Sequence, residues 1–219
     1  MNTRAYLAEL LGTFLFLTIG YLSVAAFGVT DAPGLLVVPF SFSFGLLAAI
    51  MAFGHVSGHY NPAVTIAAIV DRQLPLTDAV GYIAAQLIGA LAAAGVVMAT
   101  VSQDAVAAGI TAPSNGVSDV GAVIIEILLT AGFVAVIMAA TKRSSSLAPI
   151  VIPLTLVAIH FAAAPLTGAS VNPARSIGSA VVGGDVSAIW IYLVGPIVGG
   201  VIGALVYRFA AADREAPAI

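Results

Sequence analysis

Six stretches of this chain, Ala5–Phe27, Gly34–Phe53, Thr77–Val101, Val120–Thr141, Leu147–Ala164 and Ser187–Phe209, are almost wholly apolar. Each is close to the roughly 20 residues that a helix needs to cross the hydrocarbon core of a bilayer. In that medium every backbone N–H and C=O must be satisfied within the structure, which leaves helices and closed barrels as the spanning forms. Barrel strands are about half this length and alternate apolar with polar residues, whereas these segments are apolar all round. The prediction is an all-α membrane protein with six transmembrane helices. Composition agrees: 61% of residues are hydrophobic and 8% charged, against roughly 25% charged in a soluble domain, and mean hydropathy is +1.12. Too few charges exist to coat a water-soluble globule.

The chain has no cysteine, which removes disulfide frameworks, thiolate metal sites and cysteine nucleophiles. Net charge is −3 and no basic patch is present, so nucleic acid is not an expected partner. The N-terminus carries one Arg followed by a long apolar run without a small-residue cleavage site, and it reads as a retained first span. With six spans, Arg4, Arg72, Lys142, Arg143, Arg208 and Arg214 fall on one face of the membrane. That face is expected to be cytoplasmic, with both termini inside and the protein in the plasma membrane. The opposite face holds Asp31, Asp104, Asp119 and Asp185. Its one cation, Arg175, lies within apolar sequence.

Two further apolar segments, Asn61–Val70 and Asn172–Val182, are too short to cross. Each begins Asn-Pro-Ala, which reads as an N-cap followed by proline at the first helical position, and each follows a loop, Gly54–Tyr60 or Pro165–Val171. They are predicted to be re-entrant half-helices. The surroundings of the two motifs also match: Ala8-Glu9-Leu10-Leu11 with Ile125-Glu126-Ile127-Leu128, and Tyr82 to Gly89 with Tyr192 to Gly199. The chain is therefore expected to be one channel domain, 1–219, made of inverted repeats at about 5–101 and 120–210. An odd number of spans per copy turns the second copy over and places a site at the midplane, where the broken helices meet.

There Asn61-Pro62-Ala63 and Asn172-Pro173-Ala174 would face each other, each with the partial positive charge of a helix N-terminus. Each Asn can accept a backbone N–H with its amide oxygen while its NH₂ faces the lumen as a donor. Free loop carbonyls would form a ladder of acceptors leading to this point. A neutral molecule with an acceptor oxygen fits such a passage, and a cation is repelled.

Gly54-His55-Val56-Ser57-Gly58-His59-Tyr60-Asn61-Pro62-Ala63-Val64-Thr65, Ser170-Val171-Asn172-Pro173-Ala174-Arg175-Ser176 and Ala8-Glu9-Leu10-Leu11-Gly12-Thr13-Phe14 closely resemble the aquaporin family over about residues 5–210. The resemblance implies a homotetramer with a pore in every protomer, and water as the permeant. It also implies a selectivity filter outside the paired Asn residues, built from Arg175, from His160, from the backbone carbonyl of Ala169 and from an aromatic residue of the second span. Alignment without a gap in the helix selects Phe42; matching Phe44-Gly45-Leu46 to the family's pattern selects Phe44 but requires two deleted residues, which would rotate the rest of a helix by about 200°. Phe42 is the preferred choice. Aromatic, His and Arg together make a water-type filter. Ala169 leaves room for an alternative role as a facilitator of glycerol or ammonia.

Glu9 and Glu126 are ionisable groups inside spans. They read as structural buried carboxylates that accept backbone N–H bonds from the half-helix loops, as the resemblance implies. A proton relay needs a longer chain of such groups, so a coupled transporter is the weaker reading. His55 and His59 have no third ligand and read as loop hydrogen-bonding groups, so no metal and no cofactor are expected. No nucleophile is paired with a base, and no enzyme activity is expected. Gln86 is expected to bond a loop carbonyl. Trp190 and Tyr192 read as interfacial anchors, and Ser144–Ser146 as a polar loop. Gly81, Ala85, Gly89 and Ala93, with Gly195, Gly199 and Gly203, form small-residue ladders for close packing of helices in lipid.

Overall fold

A computed structural model describes residues 2–211; Arg214, assigned above to the cytoplasmic face, lies outside the described residues. Six helices are long and apolar enough to span a membrane. They are α1 (Thr3–Phe27), α2 (Ala32–Phe53), α4 (Leu76–Thr100), α6 (Asp119–Arg143), α7 (Ala148–Thr167) and α9 (Ile189–Ala211). Three short helices complete the order: α3 (Pro62–Val70), α5 (Gln103–Ala107) and α8 (Pro173–Gly183). Local chemistry sets the helix starts. Asn2 caps α1 by accepting from Ala5 N, and Ser118 caps α6 by accepting from Gly121 N. Proline opens α2, α3, α7 and α8, where its missing N–H costs nothing. Lys142 and Arg143 in the last turn of α6 complement the negative end of its dipole.

One boundary and one added element depart from expectation. The fifth span does not end at Ala164 but continues to Thr167, so Pro165 belongs to the helix and not to the following loop. Gly168, in the left-handed region with φ 79°, ends it. Helix α5 was not anticipated; Ser102 starts it by accepting from Ala105 N, a cap whose single turn is too short to produce a periodic pattern.

Because the spans are apolar on every side, hydrophobicity does not say which face is inside. Small and polar residues do. Helix α4 buries Ala79, Ala85, Gln86, Gly89, Ala90, Ala93 and Ala94, while Ile88 on the same helix and Leu128 on α6 are 56% and 66% exposed. Lipid offers large side chains as good a home as the protein interior, so helices associate through close backbone approach. A Cβ at Gly199 would lie 2.5 Å from the carbonyl oxygen of Ile127, and one at Gly203 would lie 2.4 Å from that of Ala131. The small-residue ladder of α9 is thus the seam against α6, and Gly89 of α4 meets Leu10 of α1 in the same way.

The half-helices cross over. Helix α3, from the first half of the chain, packs on α9 of the second, and α8 packs on α4 of the first. At the C-terminal end of α3, Asp71 accepts hydrogen bonds from Lys142 and Gln73. Arg208 Nε lies 3.9 Å from the same carboxylate, and its Nη1 donates to Val70 O at 2.9 Å. Burial acts to raise the pKa of Asp71, but the Lys142 and Gln73 hydrogen bonds and the charges of Lys142 and Arg208 outweigh it and hold the carboxyl below its ordinary value.

Two outcomes follow from this packing. Gly199→Ala should cost about 1–3 kcal/mol through overpacking, read as a lowered thermal unfolding midpoint in detergent. Gly95→Ala, where a Cβ meets nothing within 4 Å, should be neutral or gain roughly 0.5–1 kcal/mol. Because the folded-state pKa of Asp71 is depressed, its stabilisation is present above the unfolded value and is lost as pH falls through the folded one. Asp71→Asn should therefore flatten the acid side of the stability–pH profile of the full chain, measured by thermal unfolding over a pH series.

Candidate functional site

Each half-helix starts at an asparagine with extended backbone. Asn61 Oδ1 accepts from Ala63 N at 2.9 Å; Asn172 Oδ1 accepts from Ala174 N at 3.0 Å and from Arg175 N at 3.4 Å. The amide nitrogens do something the sequence reading did not foresee. Asn61 Nδ2 donates to Val171 O at 2.8 Å, and Asn172 Nδ2 donates to Tyr60 O at 2.9 Å. Each amide thus commits one of its two N–H groups to the loop of the opposite half, and one N–H per amide remains.

The carbonyls that receive these bonds belong to residues held in the left-handed region, Tyr60 at φ 49° and Val171 at φ 43°, with Ala169 also at φ 43°. Non-glycine residues there store roughly 1–3 kcal/mol each and need a surrounding structure that fixes them. The buried carboxylates provide it. Glu9 accepts from His59 N and Tyr60 N at 2.8 and 2.7 Å, and from Ser57 Oγ and Gln86 Nε2 at 2.6 and 2.7 Å. Glu126 accepts from Ser170 N, Val171 N and Thr167 Oγ1 at 2.9, 2.8 and 2.9 Å.

Two polar assignments need correction. Gln86 bonds Glu9 and, at 2.9 Å, Thr65 Oγ1 rather than a loop carbonyl; the loop N–H groups draw the carboxylate into its reach. Tyr192 is not an interfacial anchor. It is fully buried, and its hydroxyl donates to Thr167 O at 2.6 Å, whereas Trp190 is 44% exposed. His59 sits with its ring 5.2 Å from that of Tyr82 and Nδ1 3.1 Å from Thr65 Oγ1. Among the described residues no group of three or more His, Cys, Asp or Glu could hold a metal ion.

Three cavities run in series. A narrow central one, about 30 Å³, is lined by Asn61, Asn172, Phe42, His160 and Arg175 among others. It shares Ile50, His59, Val64 and Ile152 with an inner vestibule of about 480 Å³. On the other side it shares Phe42, His160 and Arg175 with an outer vestibule of about 420 Å³. A single water occupies on the order of 10–15 Å³ on this measure, so the central passage has room for a short file of waters.

Phe42, His160 and Arg175 come together at the junction with the outer vestibule. The Phe42 and His160 ring centroids are 5.5 Å apart, and the Arg175 guanidinium carbon lies 5.2 Å from the Phe42 centroid. Phe44 is 52% exposed and faces away. Arg175 Nη1 donates to Gly109 O at 2.6 Å in the outer loop, and no carboxylate forms an ion pair with this cation among the described residues. Phe16 and Phe133, each seven residues after one of the paired glutamates, also line the central cavity. Sequence reasoning passed over them because a phenylalanine in an apolar helix carries no signal of facing a lumen.

The family model for major intrinsic proteins matches residues 1–207. Aquaporin Z of Rhodopseudomonas palustris is 38% identical, over 95% of this chain and 93% of its own length. The glycerol uptake facilitator protein-like 6 of Lactiplantibacillus plantarum is 37% identical, over 94% and 97% respectively. In three dimensions the chain resembles the aquaglyceroporin of Plasmodium falciparum, with a TM-score of 0.85 and 24% identity over 94% of this chain and 96% of that one. Six apolar spans, two half-helices joined at their tips and a family match over nearly the whole length lead to one conclusion: this integral multi-pass membrane protein belongs to the major intrinsic protein family of membrane channels.

Proposed function

We propose that the protein is a passive water channel that excludes protons and ions. The observation that carries this reading is the central cavity of about 30 Å³ closed on its outer side by Phe42, His160 and Arg175. A passage that narrow takes molecules singly, and a permeating water must give up most of its hydration shell. The remaining N–H groups of Arg175 and the His160 imidazole replace part of that shell, and the Phe42 ring limits the width; Ala169, the fourth filter position expected from sequence, is buried and lines none of the three cavities. Glycerol needs a wider slot with an apolar side.

At the midplane the uncommitted N–H of Asn61 and of Asn172 donates to the permeant oxygen. An amide N–H cannot take a proton, so water held there by its oxygen does not relay one. Two half-helix N-termini, with about half a unit of positive charge each, and the unpaired Arg175 add a field that opposes every cation. No group in this path reacts, and the role assigned to Glu9 and Glu126 is structural. The homotetramer, the plasma-membrane location and cytoplasmic termini belong to the same reading. A second reading, facilitation of glycerol or ammonia, is supported by the glycerol uptake facilitator among the relatives.

Reconstituted vesicles decide between them. Stopped-flow swelling should give fast water flux with little glycerol flux, and equal rates would refute the water-filter assignment. The double variant His160→Gly, Arg175→Val should raise the glycerol-to-water permeability ratio about tenfold or more, the factor given by roughly 1.4 kcal/mol of barrier. Asn172→Asp cannot donate to Tyr60 O and should lose about 1–3 kcal/mol of stability. It also places negative charge in the positive field, so vesicles carrying it should leak protons by a trapped pH dye; proton-tight vesicles of unchanged stability would refute the donor role.

A further inference from the structure

Tyr21 of α1 lines none of the three cavities, is 1% exposed, and yet touches two of the groups that narrow the passage. Its hydroxyl donates to the backbone carbonyl of Arg175. Its ring stands edge-on to Phe42, with centroids 6.0 Å apart and planes at 84°, and the Arg175 guanidinium carbon lies 5.9 Å from the centroid of the same ring. Two glycines make this arrangement possible. A Cβ at Gly20 would lie 2.3 Å from the Phe42 ring, and one at Gly178 would lie 3.0 Å from the Tyr21 hydroxyl oxygen.

From this geometry we infer that Tyr21 is a positioning residue for solute selectivity: it fixes the aperture by holding the first turn of α8 through its hydroxyl and the Phe42 ring through its own. The inference rests on the filter reading above. Arg175 is an uncompensated buried cation on a long side chain, and its Nη1 hydrogen bonds to Gly109 O and Ser179 Oγ fix only one end of it. At the other end, the backbone, the Tyr21 hydroxyl joins the Asn172 cap on Arg175 N and the Ser179 hydroxyl on Arg175 O, and it is the one group of the three that reaches in from another helix. Phe42, whose ring sits against α1 in the space left by Gly20 and meets His160 at a tilt, is held edge-on between Phe16 and Tyr21. Neither task places Tyr21 in the path of the permeant, so its removal alters the width and charge position of the passage without adding or deleting a lining group.

The test uses the full chain in vesicles, with water and glycerol permeabilities measured on the same preparations and thermal midpoints in detergent. Tyr21→Phe keeps the ring and loses the hydroxyl; the expected result is a glycerol-to-water ratio raised about fivefold, the factor of one net hydrogen bond, with the midpoint lowered by only a few degrees. Tyr21→Leu removes both contacts and should raise the ratio about tenfold or more. A purely structural role would lower the midpoint and scale both permeabilities together, leaving the ratio fixed, and that result overturns the proposal. If Tyr21→Leu does not fold, Tyr21→Phe decides alone. A wild-type protein that passes glycerol as fast as water refutes the filter reading and not this one, which then stands or falls on whether Tyr21→Phe shifts the ratio.

Discussion

An interrupted helix in hydrocarbon leaves peptide groups without partners, and the loss of even a few is costly because no water is at hand. Everything at the centre of this protein depends on how that problem is solved. Two carboxylates, Glu9 and Glu126, reach from neighbouring spans and take the N–H groups of His59, Tyr60, Ser170 and Val171. With these N–H groups held, Tyr60 and Val171 can adopt left-handed conformations that a free chain avoids. The turn in turn aims the Tyr60 and Val171 carbonyls at the asparagine of the other half.

The two solutions are alike but not identical. Around Glu9 the shell includes Gln86, which links the carboxylate to Thr65 and through it to the His59 ring. Around Glu126 the hydroxyl of Thr167 joins the loop N–H groups, and a separate hydroxyl chain, Thr111 to Ser176 to Ser170, ties the outer loop to the second half-helix. The first half-helix thus takes its added brace from a span, α4, and the second from the loop that follows α5. That loop also supplies the Gly109 carbonyl to Arg175, so the charged side of the constriction is positioned by the least regular segment of the fold.

Much of the architecture was readable from sequence because its signals are local. Apolar length marks the spans, and Asn-Pro at the head of a run too short to cross marks a half-helix; the helix limits fall within a few residues of those expectations. What could not be read is orientation. In a helix apolar on all sides, nothing distinguishes Phe16, which lines the central cavity, from Phe44, which faces out. Polar groups were misassigned where their partners are distant in sequence. Gln86 is 77 residues from the carboxylate it meets, and Tyr192 is 25 from its carbonyl. The loop expected from Pro165 onward begins only at Gly168, because α7 runs on to Thr167 before a left-handed glycine ends it.

The reciprocal amide bonds between Asn61 and Val171 and between Asn172 and Tyr60 also bear on motion. Transporters that expose a site to one side and then the other must let their two halves rock apart about that site. Here the halves are bolted together at the very point about which they would have to swing, and each half-helix is embedded against the opposite half's last span. Such a joint does not hinge. On the reading proposed above, what traverses the molecule does so through a standing aperture, with no cycle of shapes to be driven or stalled.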